Sequence, residues 1–301
     1  MKSTLLLALI TALGCLPTQA KLNVVATTPD IGAIAREVGG NLVELSVLAR
    51  PTEDPHFVDA KPSFVLKLNH AQVLLEGGAE LESGWLPALL DQSRNPRVAA
   101  GGPGRVACNR GIAMKEVPTT LDRSQGDIHA GGNPHYLVDP VNAAIVANNI
   151  VDAFCQADPG NSAIYRDNHK KFITQLETKL GAWKKTLSPF EGRHVVAYHN
   201  SWIYFADRFG LKIELHLEPK PGIPPTPTHL AAVIERMKKD KANVIIVDPY
   251  LNRRTAEKVA SETGASIVDV SQFPGGVKGT DGGYIVLMDY LINSLAKALA
   301  K

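Results

Sequence analysis

The feature that most limits how this chain can fold is an alternation of β-rich and helical runs that occurs twice, once on each side of a single long helical stretch. From Leu22, the segments LNVVATT, PDIGAIAREVG, LVELSVLA, PSFVLKLN, AQVLLEGG and LESGWLPALLDQ keep that rhythm, which predicts βαβ units and a parallel sheet. Residues 100–134 break it with GGPG and GDIHAGGNP and read as one long polar loop. PVNAAIVANNIVDAFC then reads as a helix with Pro140 in its first turn, stopped by Asp158-Pro159-Gly160. Between Asn161 and Leu187, apolar residues Ile164, Phe172, Leu176, Leu180 and Trp183 recur near helical spacing until Ser188-Pro189. At 1.5 Å per residue this helix is roughly 40 Å long, enough to connect two lobes stiffly. After Pro189 the alternation restarts with RHVVAY, SWIYFADRFG, KIELHLE, THLAAVIERMKKD, NVIIVDP, RRTAEKVASETG and ASIVDV. The expected architecture is α/β: two doubly wound lobes with mainly parallel sheets joined by one long linker helix. The expected bounds are 21–158 for the N-terminal lobe, 159–188 for the linker and 189–301 for the C-terminal lobe.

Charge narrows the partners. Lys+Arg number 32 against Asp+Glu 30, a formal charge of +2, so the basic surplus that phosphate binding requires is missing and nucleic acid is not an expected partner. Hydrophobic residues at 45% argue against disorder. Lys2, the apolar run LLLALITALGCL and Thr18-Gln19-Ala20 have the three parts of a secretory signal peptide, expected over residues 1–20. That run is too short to span a bilayer core, which takes roughly 20 residues. Ala12-Leu13-Gly14 before Cys15 matches a lipoprotein signal poorly. In an exported chain Cys108 and Cys155 remain as a pair, to be read either as a disulfide or as two buried thiols.

Nine histidines carry the chemistry. His70, His169, His194, His216 and His229 fall in helices, strands or a helix start and read as structural or surface residues. His56 closes the loop RPTEDPH, His135 lies in GGNPHYLVDP before a helix, and His199 follows the strand HVVAY. In open α/β sheets ligands bind beyond the carboxyl ends of the strands, where the pattern puts His56 and His199.

The segments DPHFVDAKPS, GGNPHYLVDPVNAAIVANNIVDA and VVAYHNSWIYFADRFGL resemble the three histidine motifs of the periplasmic zinc-binding proteins that feed ABC importers, the ZnuA-like or TroA-like solute-binding family. The resemblance continues through EPKPGIPPTPTHLAAVIERMKKDKANVIIVDPYLNRRTAEKVASETGASIVDV and covers nearly the whole mature chain. It implies a periplasmic, non-enzymatic monomer that binds Zn²⁺ between its lobes through His56 and His135 from the first and His199 from the second. It also implies an importer permease as partner and allows for a metallochaperone. Imidazole suits Zn²⁺, whereas Mn²⁺ favours carboxylate oxygens, which manganese members of the family commonly place where His199 stands. Members often supply an aspartate after the last strand, but this loop reads SQFPGGVKGTDGGY, with no acid near Ser271 to Phe273. Asp281 is the first candidate for the fourth ligand, brought in on Gly275-Gly276 and Gly279 hinges, or else a cap of the last helix. Asp269, Asp248 and a water compete for the same position. His129 reads as an accessory ligand or a solvated loop residue, and Asp139 as a helix cap or a partner to an imidazole. Affinity is expected to fall below about pH 6.5, the ordinary histidine value.

Three histidines with an open position also describe a secreted zinc hydrolase, but no HExxH helix or GxSxG turn supports one. A Mn²⁺ or Fe²⁺ receptor of the same family and a metal-dependent adhesin with the same fold compete with the zinc receptor.

Overall fold

A computed structural model describes residues 20–122, 126 and 128–301; the signal peptide expected over residues 1–20 lies, Ala20 apart, outside these residues. In the N-terminal lobe β1 (Leu22–Ala26), β2 (Val43–Val47), β3 (Val73–Glu76) and β4 (Arg105–Ala107) form a parallel sheet in the order β2-β1-β3-β4. In the C-terminal lobe β5 (His194–Ala197), β6 (Lys212–His216), β7 (Val244–Val247) and β8 (Ser266–Asp269) repeat that order as β6-β5-β7-β8, again parallel. The two halves share a winding scheme. β4 lies within the stretch that reads as continuous loop; three residues are too few to show a period.

Strand alternation sorts the side chains to both faces of each sheet. Leu22, Val24 and Ala26 of β1 join a core with α1 (Pro29–Gly39) and α4 (Pro140–Ala157), while Val25 faces α2 (Pro62–His70) and α3 (Leu86–Ser93). In the second lobe Val195 and Ala197 of β5 face α6 (Ile203–Phe209), and Val196 faces α7 (Pro227–Asp240) and α8 (Arg253–Thr263).

The linker α5 (Ser162–Leu187) buries Phe172, Leu176 and Trp183, near the predicted stripe. It packs against α1, α4 and α9 (Tyr284–Leu299). Trp183 Nε1 and Lys179 Nζ both donate to Asp289 of α9, at 2.8 and 2.6 Å. One continuous apolar core therefore runs from β1 and α1 through α5 to α6 and α9. Among the described residues no helix is long and apolar enough to cross a membrane.

Cys108 and Cys155 are free thiols, which corrects the disulfide expectation. The Cys108 carbonyl accepts from Asn149 of α4 at 3.0 Å, whereas the Cys155 thiol turns to the Ser162 carbonyl at the start of α5, at 3.7 Å. Burial pushes the Cys108 thiol well above its ordinary value.

Candidate metal centre

The carboxyl ends of both sheets face the same space, and three loops project histidines into it. After β2, Asp54 Oδ1 accepts the His56 amide at 3.0 Å and Trp85 Nε1 holds the Pro55 carbonyl at 2.9 Å, so the turn carrying His56 is fixed on both sides. Before α4, Asn133 Oδ1 accepts the His135 amide at 3.1 Å, and the ring follows Pro134 into the cleft. His199 leaves β5 two residues after its end and precedes α6, where the cap residue Trp202 and Phe205 are fully buried.

His56, His135 and His199 each offer a ring nitrogen within 4.8 Å of the others, and among the described residues no other group of three or more metal-binding side chains does so. Nε2 of His56 lies 3.1 Å from Nε2 of His135, close to the separation of about 3.3 Å between two nitrogens held tetrahedrally at 2.0–2.1 Å from one zinc ion. The outer nitrogens are engaged: His135 Nδ1 donates to Asn133 Oδ1 at 2.9 Å, and His199 Nδ1 faces Glu218 Oε2 at 2.7 Å. Each bond leaves an Nε2 lone pair for the cleft, as the partners of metal-binding imidazoles generally do. Sequence reasoning passed over both partners. Glu218 had a legible signal, since it follows β6 just as His199 follows β5; Asn133 had only its place two residues before His135.

His56 and His135 resist protonation. Burial, then the neighbouring His129 and His199, hold His56 down at about 3, and burial with the same crowding holds His135 well below its ordinary value. Loss of affinity below about pH 6.5, expected from free histidine, therefore does not carry over to these two rings.

Asp281 is exposed in the turn before α9, outside the histidine group, and α9 has Gly283 as its cap with no side-chain bond, so Asp281 neither reaches the centre nor caps the helix. The reason is packing. A Cβ on Gly276 would sit 2.1 Å from Ser271 Oγ and 2.7 Å from the Pro51 carbonyl, so this glycine lets the loop dock against the loop carrying His56 rather than swing. Asp269 is exposed and paired with Arg253. Asp248 is buried at the end of β7, where Trp202 Nε1 donates to its Oδ2 at 3.3 Å while its Oδ1 has no hydrogen-bond partner; burial pushes its carboxyl up to about 7. It too stands outside the group.

His129 stacks on His56, with ring centroids 5.0 Å apart and planes 24° from parallel, so it is a half-buried neighbour rather than a solvated loop residue. Asp139 caps α4 through the Val141 amide at 2.9 Å and takes a bidentate bond from Arg208 of the other lobe at 2.7 and 2.8 Å; it orients no imidazole. His135, His199, His129 and Lys220 line a pocket of about 290 Å³ beside the centre.

Residues 24–298 match the family model described as "Zinc-uptake complex component A periplasmic", ZnuA. The chain belongs to that family. It is 25% identical over 290 residues to the manganese ABC transporter substrate-binding lipoprotein scaA of Streptococcus gordonii, covering 94% of this chain and 90% of the relative. It is 25% identical over 291 residues to the iron ABC transporter substrate-binding lipoprotein MtsA of Streptococcus pyogenes serotype M1, covering 93% and 90%. Among solved structures, a zinc-bound ZnuA deletion mutant aligns with a TM-score of 0.78 at 22% identity over 92% of this chain and 98% of its own, a likeness of fold. The named relatives bind a transported substrate, and the ZnuA-family chain is a binding protein rather than an enzyme.

Proposed function

We propose that this protein is the metal-capturing receptor of an ABC importer, that its cargo is Zn²⁺, and that it is exported by the leader at residues 1–20. The observation that carries the reading is the approach of three Nε2-bearing rings from separate loops, two with Nδ1 tied to Asn133 and Glu218. Three imidazoles with no carboxylate in their group favour a borderline ion over Mn²⁺, which prefers oxygen. We take the fourth ligand to be a water from the adjoining pocket. The names of two relatives favour manganese or iron, and the donor set opposes them.

The test is competition at the metal-free protein. One equivalent of Zn²⁺ is expected to bind, to resist equimolar Mn²⁺ or Fe²⁺, and to lose at least about 100-fold in affinity in each of His56→Ala, His135→Ala and His199→Ala, since removing a direct ligand costs no less than the upper end of the roughly 10–100-fold that removing an outer partner of a ligand costs. Equal or tighter Mn²⁺ or Fe²⁺ binding would overturn the choice of cargo. Unchanged Zn²⁺ binding in any alanine variant would overturn the site.

A further inference from the structure

The side chains behind the histidines are tied to one another across the lobe boundary, and the tie passes through Glu116. Its Oε2 accepts from Asn133 Nδ2 at 2.9 Å and from Asn200 Nδ2 at 2.8 Å. Asn133 stands directly behind the His135 ring, and Asn200 is the residue after His199. The neighbouring residue reinforces the bridge: Lys115 takes the Asn133 amide on its carbonyl at 2.8 Å and gives its own amide to Tyr204 Oη of α6 at 2.9 Å. Glu116 holds φ at +53°, a left-handed conformation that costs a non-glycine residue on the order of 1–3 kcal/mol and persists only where the surroundings enforce it.

Asn133 shows what the bridge does. Its Oδ1 accepts the His135 amide, which can only donate, and its Nδ2 donates to the Asn200 carbonyl at 2.8 Å, which can only accept. With Glu116 on the second Nδ2 hydrogen, every position on the amide that the site uses is filled, and its orientation is fixed. The remaining lone pair of Oδ1 faces His135 Nδ1, so that nitrogen carries the proton and Nε2 is left bare.

We propose that Glu116 is a positioning residue of this centre: through Asn133 it holds His135 in the Nδ1–H form, and through Asn200 it sets His135 against His199 on the opposite lobe. The proposal rests on the reading of the three histidines as metal ligands. Glu116 is solvent-exposed, so its replacement leaves the core intact, and its effect is expected near the lower end of what outer partners of metal-bound histidines contribute.

The experiment uses the full metal-free protein labelled with ¹⁵N, with long-range ¹H–¹⁵N spectra of the imidazoles, the His135 signals assigned from His135→Gln, and Zn²⁺ affinity from chelator competition. In the wild type His135 is expected as Nδ1–H. Glu116→Ala is expected to raise the Nε2–H population and weaken Zn²⁺ by about 10-fold, with Glu116→Gln, which keeps one acceptor oxygen, between the two. The Nδ1–H form retained in both variants overturns the proposal even where affinity falls, because a charge effect alone would then explain the loss. An altered tautomer with wild-type affinity overturns it as well. Failure of the wild type to bind Zn²⁺, with the tautomers as expected, falls instead on the metal reading.

Discussion

His56 and His135 are stored in the form a metal ion needs. An imidazole must be neutral to offer a lone pair, and at the surface it would lose that form near neutral pH. Burial holds the His56 ring at about 3 and His135 well below the ordinary value, so protons do not compete for either at mildly acidic pH. In the metal-free protein neither ring is expected to titrate between about pH 8 and pH 5 in NMR spectra; a midpoint near 6.5 for either would refute the account. The sign for stability follows. Because the folded value of His56 lies below the unfolded one, its contribution is complete above about pH 6.5 and is lost as pH falls toward 3, since the unfolded chain takes up the proton first. Wild-type protein is accordingly expected to lose more stability than His56→Ala between about pH 7.5 and pH 5 in urea titrations. The comparison cancels Glu82, which burial pushes up to about 7 and whose contribution has the opposite sign.

At the scale of elements, the short segment from Asn133 to Asp139 is the joint of the molecule. It carries His135, starts α4, and is bonded to both lobes: Tyr136 Oη donates to the Gly77 carbonyl at 2.7 Å, Tyr204 Oη to the Asn133 carbonyl at 2.8 Å, and Tyr284 Oη to the Leu137 carbonyl at 2.7 Å. Asp139 combines a helix cap with the Arg208 pair, and its side chain is 7% exposed against 29% for Arg208. Asp139→Ala removes both and is expected to cost about 2.5–4 kcal/mol, a cap at about 1 and charge-assisted bonds at about 1.5–3. Asp139→Asn keeps an acceptor for the Val141 amide and is expected to cost about half as much. Equal losses in urea unfolding would mean that the cap contributes nothing there.

Across the whole molecule the stiffness lies in a shared core rather than in the linker alone. The sequence pattern suggests two lobes on a rod, but α5 has α1 and α4 of one lobe and α9 of the other packed along it, and a single apolar core passes through all three parts. Unfolding is therefore expected to be one cooperative event. Trp85, Trp183 and Trp202 report on the N-terminal lobe, linker and C-terminal lobe, and variants retaining one tryptophan each are expected to show the same denaturation midpoint once corrected for the stability lost to substitution. A Trp85 transition well separated from that of Trp202 would show lobes that fold independently.

Much of this protein is written locally in its chain. Strand and helix periods gave both parallel sheets, the proline and Ser-Pro boundaries gave α4 and α5, and the strand-end rule put His56 and His199 at carboxyl ends, because each of these depends on neighbours a few residues away. The failures concern distances between segments remote in sequence. Asp281 had the right chemistry and a glycine-rich loop, but close packing of Gly276 against Pro51 fixes that loop elsewhere. Cys108 and Cys155 had the right number, but both stay free, the Cys155 thiol turning to the Ser162 carbonyl instead. Glu116 carried no sequence signal at all, since its role exists only when Asn133 and Asn200 reach it from different lobes. Local periodicity dictates elements because backbone hydrogen bonds and side-chain direction repeat along the chain; which groups meet at the cleft was decided by packing around α5, where long-range contacts alone set the spacing.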